Sequence, residues 1–568
     1  MRFIANRFML CFISLVCLIS SVFGVPDAEK IQAKQYAMSG GGSCEAGGGR
    51  IGIHDPSVIK SKDGSYYVFG SHMAAARSDD LLNWSEIACG VGDGNRLLVP
   101  EGSTLRKELS EPLSWTDAFQ SVSGVNEEDW QTNIWAADVI YNEEMGKYCY
   151  YASSSVWGLP QSVIWFATSD SIEGPYKYEN TVVYSGFDNL VAENGYSRAT
   201  PLHYSFTNIT SVLKKGDLYI KDVLNNSWCD INGRYDSGRL PNAIDPALFY
   251  DAEGRMWMAY GSYYAGIYIM PLEEKTGLPD YEYMQNTEGY DMYFGKQIMR
   301  TNGANELSGE GAYVIYDAQS GYYYLYLSVG GLNSLGGYNI REYRSKNPDG
   351  PFLDAAGNDA MEDVNTGIKL FGNYTFDCLE TAYLAAGHSS VLIDSDGKML
   401  QVYHTRFNNG SEDFQVRVHQ MARTENGWTV ALPFEYTGET IDYRGTVGNE
   451  LAGEYEFINH GTLTNGCTDW ADAEKIISPT QSITLDSDGT VRGLKLYESV
   501  KNNTAVSFTQ AEGEWSVKEG TAYITFILDG VKYEGVFCKQ SDESGERTER
   551  LVFSAVGENN ECIWGVKK

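Results

Sequence analysis

The sequence predicts an all-β protein, built as a five-bladed β-propeller followed by a small C-terminal β-barrel or sandwich. Five times between about residues 50 and 440, a short strand pattern runs into a polar turn that ends in glycine, and a second apolar or aromatic stretch follows. A repeated hairpin pattern of this kind indicates radial repeats. The composition agrees, because 60 glycines and 40 tyrosines in 568 residues favour strands and turns.

Each of the five units begins beside an acidic or imidazole side chain, and these residues are Asp55, Asp138, Asp245, Glu310 and His388. Asp55, Asp245 and His388 each lie nine residues before their turn glycine, and Glu310 lies eleven before it in a unit with a longer turn. Because a propeller places equivalent strand starts around one axis, we expect these four side chains to converge on a central pocket. Asp138 is about two positions out of register, so we expect it to cap a strand end.

The two ends of the chain differ from its middle. Residues 1–24 have the pattern of a signal peptide, with Arg2 and Arg7 before an apolar stretch that is short for a membrane span. An uncleaved anchor is the alternative. Residues 25–48 form a polar leader, 49–444 the predicted catalytic propeller, and 445–568 a domain of six or more short alternating strands. We therefore expect a secreted, extracellular protein that does not bind a membrane after signal cleavage.

The charge and the cysteines exclude some classes of function. A formal net charge of −33 argues against binding to nucleic acid or to an anionic membrane and suits a protein that acts on a neutral polymer. No cysteine occurs in a CxxC pair, which argues against a zinc site. The scattered spacing leaves disulfides and free thiols equally open. We expect a monomer.

Three carboxylates at one pocket suit the hydrolysis of a glycosidic bond. Such a reaction needs a proton donor for the leaving oxygen, and an inverting enzyme also needs a base for water on the opposite face of the sugar. Crowding Asp55, Asp245 and Glu310 raises the proton affinity of at least one of them. The longer Glu310 is a sensible proton carrier. The residues alone do not name the substrate.

A set of motifs in a fixed order makes the resemblance specific. The motifs are His54-Asp55-Pro56-Ser57, Trp135-Ala136-Ala137-Asp138-Val139, Asn242-Ala243-Ile244-Asp245-Pro246, Tyr260-Gly261-Ser262-Tyr263, Ser308-Gly309-Glu310-Gly311 and Gly387-His388-Ser389. Over about residues 50–440 the chain resembles the secreted endo-α-1,5-L-arabinanases of glycoside hydrolase family 43. Its C-terminal part resembles the small β-barrel domain appended to many secreted members.

The resemblance implies an inverting hydrolase that cleaves internal α-1,5-L-arabinofuranosidic linkages of arabinan or arabino-oligosaccharides. By motif, Asp55 would be the general base, Glu310 the general acid, and Asp245 the residue that orients Glu310 and tunes its pKa. His388 would help to hold one hydrated calcium ion in the central channel. Two features depart from the family. Many relatives have Pro where this chain has Ala137, and the loops at 90–134 and 177–240 are longer than in compact members.

Other residues near the strand starts are candidate sugar contacts. Trp135 and Trp157 are predicted to stack on sugar rings, with packing between blades as the alternative. Four polar residues are predicted to hydrogen-bond sugar hydroxyls, although Ser and Asn also end strands: Ser154, Ser162, Asn242 and Ser262. Arg406 is predicted to contact the pocket or to brace its acids.

Two alternative functions remain open from the sequence. One is an exo-acting α-L-arabinofuranosidase or β-xylosidase that uses the same acids behind a blocked groove. The other is a non-catalytic carbohydrate-binding propeller, against which the retention of all three carboxylates argues. Digestion products of debranched arabinan separate endo from exo action.

Overall fold

The structure, a computed structural model, describes residues 43–123, 134–191, 200–214, 217–301, 309–363, 365–446, 450–498, 507–510 and 513–568. The predicted signal peptide and most of the predicted leader lie outside the described residues. The predicted fold class is confirmed, since the described chain forms five antiparallel blades and a closed C-terminal barrel.

The first two blades follow a short hairpin of β1 (Glu45–Gly47) and β2 (Arg50–Ile51). Blade I contains β3 (Ser57–Lys60), β4 (Tyr66–Gly70), β5 (Ala74–Ser78) and β6 (Trp84–Ala88). Blade II contains β7 (Ile134–Asn142), β8 (Lys147–Ser155), β9 (Ser162–Ser169) and β10 (Lys177–Ser185).

The other three blades have the same antiparallel order, and β15 pairs with β13 as an extra strand of blade III. Blade III contains β11 (Ala247–Tyr250), β12 (Met256–Tyr260), β13 (Gly266–Glu273), β14 (Leu278–Pro279) and β15 (Lys296–Arg300). Blade IV contains β16 (Gly309–Asp317), β17 (Tyr322–Val329), β18 (Asn339–Ser345) and β19 (Ile368–Phe371). Blade V contains β20 (Tyr383–Ile393), β21 (Met399–Phe407), β22 (Phe414–Arg423) and β23 (Thr429–Glu435).

The helices are short and lie mostly between blades. The α-helices are α1 (Leu105–Glu108), α2 (Ser110–Ser123), α3 (Ile209–Val212), α4 (Asp217–Val223) and α5 (Tyr281–Asn286). A π-helical turn spans Leu224–Trp228, and 3₁₀ turns span Ser71–Met73, Tyr204–Phe206 and Trp470–Ile476. The long interruptions of the sequence therefore carry helices. No helix within the described ranges has the length and apolar character needed to cross a membrane.

The C-terminal domain is a closed barrel rather than a sandwich, because its last strand pairs back onto its first. Its strands are β24 (Gly453–Asn459), β25 (Thr480–Leu485), β26 (Thr490–Arg492), β29 (Gly513–Val517), β30 (Tyr523–Leu528), β31 (Val531–Ser541), β32 (Glu549–Gly557) and β33 (Cys562–Lys567). A separate hairpin joins β27 (Lys495–Glu498) to β28 (Ser507–Gln510). The barrel packs on blade V, where the fully buried Trp564 donates to the Ala431 carbonyl at 2.8 Å.

In every blade, a residue with a positive φ lies near the start of the inner strand. The residues and their φ values are Asp55 (57°), Ala136 (47°), Asp245 (56°), Gly311 (60°) and His388 (44°). Four of the five residues are not glycine, although a positive φ is energetically unfavourable for any residue that carries a side chain. Ala136 therefore occupies the position of Asp55, and the predicted offset of Asp138 is confirmed. Glu310 is one residue before its equivalent position, which Gly311 takes.

Two links tie the N-terminal segment to the propeller. A disulfide joins Cys44 to Cys89 with their Cα atoms 5.9 Å apart, and the other cysteines within the described ranges are free. Arg50 forms two hydrogen bonds, at 2.5 and 2.7 Å, with the buried carboxylate of Glu435 at the end of blade V. The first described residues thus lie against both the first and the last blade.

Candidate active site

Asp55 is surrounded by hydrogen-bond donors. Its Oδ1 lies 2.7 Å from Nδ1 of His54 and 2.9 Å from Nδ1 of His388, and its Oδ2 accepts from the Ser71 hydroxyl. Its backbone N–H donates to Nδ1 of His404 at 3.2 Å. Burial raises the pKa of Asp55, but His388 and His54 outweigh burial and hold this pKa well below its ordinary value. Asp55 is therefore an ionised carboxylate at neutral pH.

Glu310 is held at both carboxyl oxygens. Tyr338 donates its hydroxyl to Oε1 at 2.8 Å, and Ser262 donates to Oε2 at 3.1 Å. Burial raises the pKa of Glu310, and the charge of Asp55 raises it further, against the opposing effects of His388 and the two donors. A carboxyl group with a raised pKa retains a proton that it can give to a substrate.

Asp245 lies beside the other two acids and is 6% exposed. Burial raises the pKa of Asp245 to about 7, and the charges of Glu310 and Asp55 add to this effect, while His388 opposes it. The structure thus brings the three predicted acids into mutual electrostatic contact. One has a lowered pKa and two have raised pKa values, which is the separation that acid and base roles require.

His388 shares the pocket with all three acids, as its predicted register implies. Burial lowers the pKa of His388, but the charges of Asp55, Asp245 and Glu310 raise it to about 9. Its ring lies over Gly311, where a Cβ would come within 2.7 Å of the imidazole. Glycine at this position therefore makes room for the histidine ring.

The residues around His388 suit a small cation. His388 lines a cavity of about 20 Å³ together with Asp55, Asp245, Ser57 and Ser390. This is room for one ion or one water, since a single water needs ~10–15 Å³. Nδ1 of His388 is bonded to Asp55, so Nε2 is the nitrogen that can ligate an ion once the ring has lost its second proton, and a histidine ligand commonly gives its other nitrogen to a carboxylate. The nearby carboxylate and hydroxyl oxygens are the donor type that calcium prefers.

Asp138 joins blades rather than entering the acid cluster. Its Oδ2 accepts from the backbone N–H of Leu248 in blade III at 2.5 Å, and its Oδ1 accepts from the Ser57 hydroxyl in blade I. Burial raises the pKa of Asp138 to about 6. Its expected structural role therefore has a physical basis, since one carboxyl group connects three blades.

The two candidate tryptophans lie together. Their rings meet edge to face with centroids 5.7 Å apart, and Trp157 is 41% exposed. The indole N–H of Trp135 has no hydrogen-bond partner within the described residues. That indole nitrogen is buried, so the exposed face of Trp157 is the surface on which a sugar can stack.

The predicted polar sugar contacts are engaged inside the protein. Ser154 accepts from the Trp165 indole at 3.0 Å, and Ser162 pairs with the Ser155 hydroxyl at 2.8 Å. Asn242 is 5% exposed, and its Oδ1 accepts from Ser185 at 3.3 Å. The structure gives Ser154, Ser162 and Asn242 internal partners, and Ser262 holds Glu310. Their contact with sugar stays a prediction.

Arg406 braces the acids through a histidine. It is fully buried, and its Nη2 lies 3.3 Å from Nε2 of His54. A guanidinium can only donate, so it fixes Nε2 of His54 as an acceptor and leaves Nδ1–H to donate to Asp55. Glu412 lies 3.1 Å from Nε of Arg406.

Sequence reasoning missed four residues of the site: His54, Ser71, Tyr338 and His404. His54 stands beside Asp55 in a motif quoted above, and His404 lies two residues before Arg406. Ser71 and Tyr338 lie at strand ends and have no sequence pattern of their own. Their partners are set by the ring of blades, which local spacing does not reveal.

Comparisons with known proteins agree with this geometry. The family described as glycosyl hydrolases family 43 matches residues 222–429, and a C-terminal lipocalin-like domain of that family matches residues 433–565. The chain is 37% identical over 534 residues to an extracellular endo-α-(1→5)-L-arabinanase of Thermotoga petrophila, covering 91% of this chain and 93% of the relative. It is 34% identical over 535 residues to extracellular endo-α-(1→5)-L-arabinanase 2 of Bacillus subtilis, with the same coverage of both chains.

Solved structures show the same architecture over nearly the whole chain. The crystal structure of endo-1,5-α-L-arabinanase from Thermotoga petrophila matches with a TM-score of 0.70 and 34% identity, covering 91% of this chain and 99% of that one. The family 43 YxiA protein from Bacillus licheniformis matches with a TM-score of 0.69 and 32% identity, covering 91% and 98%. With the acids gathered at the centre of five blades and a barrel behind them, the chain belongs to glycoside hydrolase family 43.

Proposed function

We propose that this protein is an inverting endo-α-1,5-L-arabinanase that hydrolyses internal linkages of arabinan. The observation that carries the proposal is the arrangement of two acids at one pocket, where His54, His388 and Ser71 surround Asp55 and where Tyr338 and Ser262 donate to Glu310. These surroundings lower the pKa of Asp55, whereas burial raises that of Glu310. A non-catalytic carbohydrate-binding propeller has no need for such a separation of pKa values. The two relatives named above, which are extracellular arabinanases, support the substrate class.

Asp55 acts as the general base. Its ionised carboxylate accepts a proton from a water molecule as the water oxygen attacks the anomeric carbon. Donors from His54 and His388 keep the carboxylate ionised and fixed in orientation. The same donors lower its basicity, so its contribution comes from position as well as from proton affinity.

Glu310 acts as the general acid. Its proton passes to the glycosidic oxygen as the bond to the anomeric carbon breaks, so the leaving chain departs as an alcohol. The charge of Asp55 makes ionisation of Glu310 less favourable, and the charges of Glu310 and Asp55 in turn raise the pKa of Asp245. After the reaction Asp55 carries a proton and Glu310 is ionised, and exchange with solvent restores both.

His388 is the proposed protein ligand of a hydrated calcium ion in the central cavity. When bound, such an ion would supply positive charge that relieves repulsion among the three carboxylates. His388 itself orients Asp55 through Nδ1. Trp135 and Trp157 supply an aromatic surface for the sugar chain.

We further propose that the protein is secreted, by cleavage of residues 1–24, and acts as a monomer. This localisation matches the extracellular relatives. Mass spectrometry of the exported protein would identify its first residue, and light scattering would give its mass in solution.

Product analysis tests the activity. Linear arabinan, branched arabinan and xylan should be digested separately, with chromatography of early products. An endo-arabinanase gives mixed arabino-oligosaccharides from linear arabinan and little from xylan. Release of arabinose alone would indicate an exo-arabinofuranosidase, and release of xylose would indicate a β-xylosidase. No hydrolysis of any of the three would contradict catalysis and leave the binding propeller.

A further inference from the structure

The C-terminal barrel reaches the active site through the loop that carries Tyr338. This loop, residues 330–338, connects β17 to β18 of blade IV. Tyr338 is its last residue, is 1% exposed and donates to Glu310. Its ring lies so close to Gly387 that a Cβ at that position would overlap it. The position of the Tyr338 hydroxyl therefore depends on the path of this loop.

A segment of the barrel domain, residues 461–467, lies directly on the loop. The backbone N–H of Cys467 donates to the Leu335 carbonyl at 2.8 Å. A Cβ at Gly337, where φ is +72°, would lie 2.6 Å from the Asn465 carbonyl carbon, and one at Gly330 would lie 2.9 Å from Thr464 Cγ2. Glycines at these positions allow the two backbones to approach this closely.

Buried side chains of blade IV bind the same segment. Asn339, the residue after Tyr338, donates its amide to the Gly337 carbonyl at 2.9 Å and to the Thr464 hydroxyl at 3.0 Å. Arg341 donates to the Thr462 carbonyl at 2.6 Å. One amide group thus connects the glycine loop, the following strand and the barrel segment.

A buried lysine adds a further connection. Lys369, on β19, is 4% exposed and donates to the carbonyls of His460 at 3.0 Å and Leu463 at 2.7 Å. Burial lowers the pKa of Lys369 to about 7. Two basic side chains of the propeller, from Lys369 and Arg341, therefore have backbone carbonyls of the barrel domain as hydrogen-bond acceptors.

We infer that residues 461–467 of the barrel position the catalytic acid, by fixing the loop 330–338 and so holding the Tyr338 hydroxyl against Glu310. Thr464, Asn339 and Lys369 are positioning residues, since none of them is placed at the acid itself. The barrel domain thus contributes to the geometry of the active site. This inference rests on the proposed role of Glu310 as the acid.

The test uses two substrates that differ in their need for a proton. In linear arabinan the leaving group is a sugar alcohol, which needs a proton from the acid. In a dinitrophenyl glycoside of an arabino-oligosaccharide the leaving group is a stable phenolate, which needs none. In the full-length protein, Thr464→Val removes the hydroxyl that Asn339 contacts. We expect kcat on arabinan to fall between about 10- and 100-fold, the scale for a misplaced catalytic group. KM on arabinan and kcat on the aryl glycoside should stay unchanged.

A matched control and a double variant separate positioning from general damage. Thr480→Val removes another barrel hydroxyl that bonds the propeller, at the Thr375 carbonyl 2.9 Å away, and should leave both substrates at wild-type rates. Tyr338→Phe should resemble Thr464→Val. If Thr464 acts through Tyr338, the double variant Thr464→Val/Tyr338→Phe loses little more than Tyr338→Phe alone.

A second variant acts from the other side of the contact. Gly337→Ala places a methyl group against Asn465 and should also lower kcat on arabinan selectively. The inference would be overturned if a variant lost equal activity on both substrates, or if Thr464→Val and Gly337→Ala both kept wild-type rates. Additive effects in the double variant would also overturn it. Glu310→Gln tests the proposed function separately from this inference, because retained arabinan hydrolysis in that variant contradicts the role of Glu310 as the acid.

Discussion

Asp55 and Asp245 start the inner strands of different blades with nearly the same left-handed backbone, at φ values of 57° and 56°, yet their pKa shifts are opposite. Two histidines face Asp55 and lower its pKa, whereas burial and two neighbouring carboxylates raise the pKa of Asp245 to about 7. Equivalent positions of a repeated unit thus acquire different chemistry from the side chains around them. The central pocket is symmetric in backbone and asymmetric in charge.

The first prediction concerns the base and the acid. Asp55→Asn and Glu310→Gln should each fold, because amides keep the size of the acids, and each should lose at least about 100-fold in kcat on arabinan. Steady-state kinetics measures the loss. The exposed Asp396→Asn is the matched control and should be fully active. Near-normal activity in either site variant would contradict its assigned role.

The second prediction concerns stereochemistry. An inverting enzyme keeps its two carboxyl groups roughly 6.5–9.5 Å apart, so that water fits between the base and the sugar. We expect the first-formed sugar product to have the inverted anomeric configuration, as read by proton NMR before mutarotation. Retained configuration would require a covalent intermediate and would reject the assignment of Asp55 as a base.

The third prediction concerns His388 and calcium. His388→Ala should lower calcium affinity, measured by titration calorimetry of the full-length protein after exhaustive chelation. It should also lower activity, because the donor to Asp55 at 2.9 Å is lost. Chelation of the wild type should reproduce part of the activity loss. The metal role would be wrong if calorimetry detects no calcium binding to the wild type and chelation leaves its activity intact.

The fourth prediction links Asp245 to stability. The folded pKa of Asp245, about 7, is above its ordinary value of 3.8. Because the folded state binds the proton more tightly, protonation of Asp245 stabilises the folded protein. This stabilisation is complete below pH 3.8 and is lost as the pH rises through about 7. Asn does not titrate, so the Tm of Asp245→Asn relative to wild type should rise between pH 5 and pH 8. Calorimetric scans at both pH values check the sign, and a constant Tm difference would show that the pKa of Asp245 is not raised in the folded protein.

The acids could be predicted from sequence because the blades repeat. Asp55, Asp245 and His388 share one spacing to a turn glycine, and this spacing reports a shared place around the axis. The partners of these residues have no such signal. Tyr338 meets Glu310 through a glycine loop that contacts the barrel, and Ser71 meets Asp55 from the 3₁₀ turn that follows β4. Such contacts depend on how separate units pack.

Buried serines show a different limit. Ser154 and Ser162 stand beside a predicted groove, and polarity alone made them candidates for sugar contacts. In the structure their hydroxyls bond Trp165 and Ser155 within blade II. Whether these hydroxyls also reach a sugar depends on the pleat of the strands, which bulges such as the one between Trp135 and Asp138 alter.

Each blade is made from one uninterrupted stretch of chain, and in the described residues no backbone ladder joins the first blade to the last. Individual contacts close the ring instead, such as the bond from the Val58 amide to the Ser390 hydroxyl at 3.0 Å and the Lys60–Asp394 ion pair at 2.7 Å. No ladder joins any two neighbouring blades in the described residues, but the chain itself crosses the other junctions, so we expect the junction between blades I and V to open first on heating. The Arg50–Glu435 ion pair connects the N-terminal segment before blade I to blade V, so removing it should lower the free energy needed to open this junction.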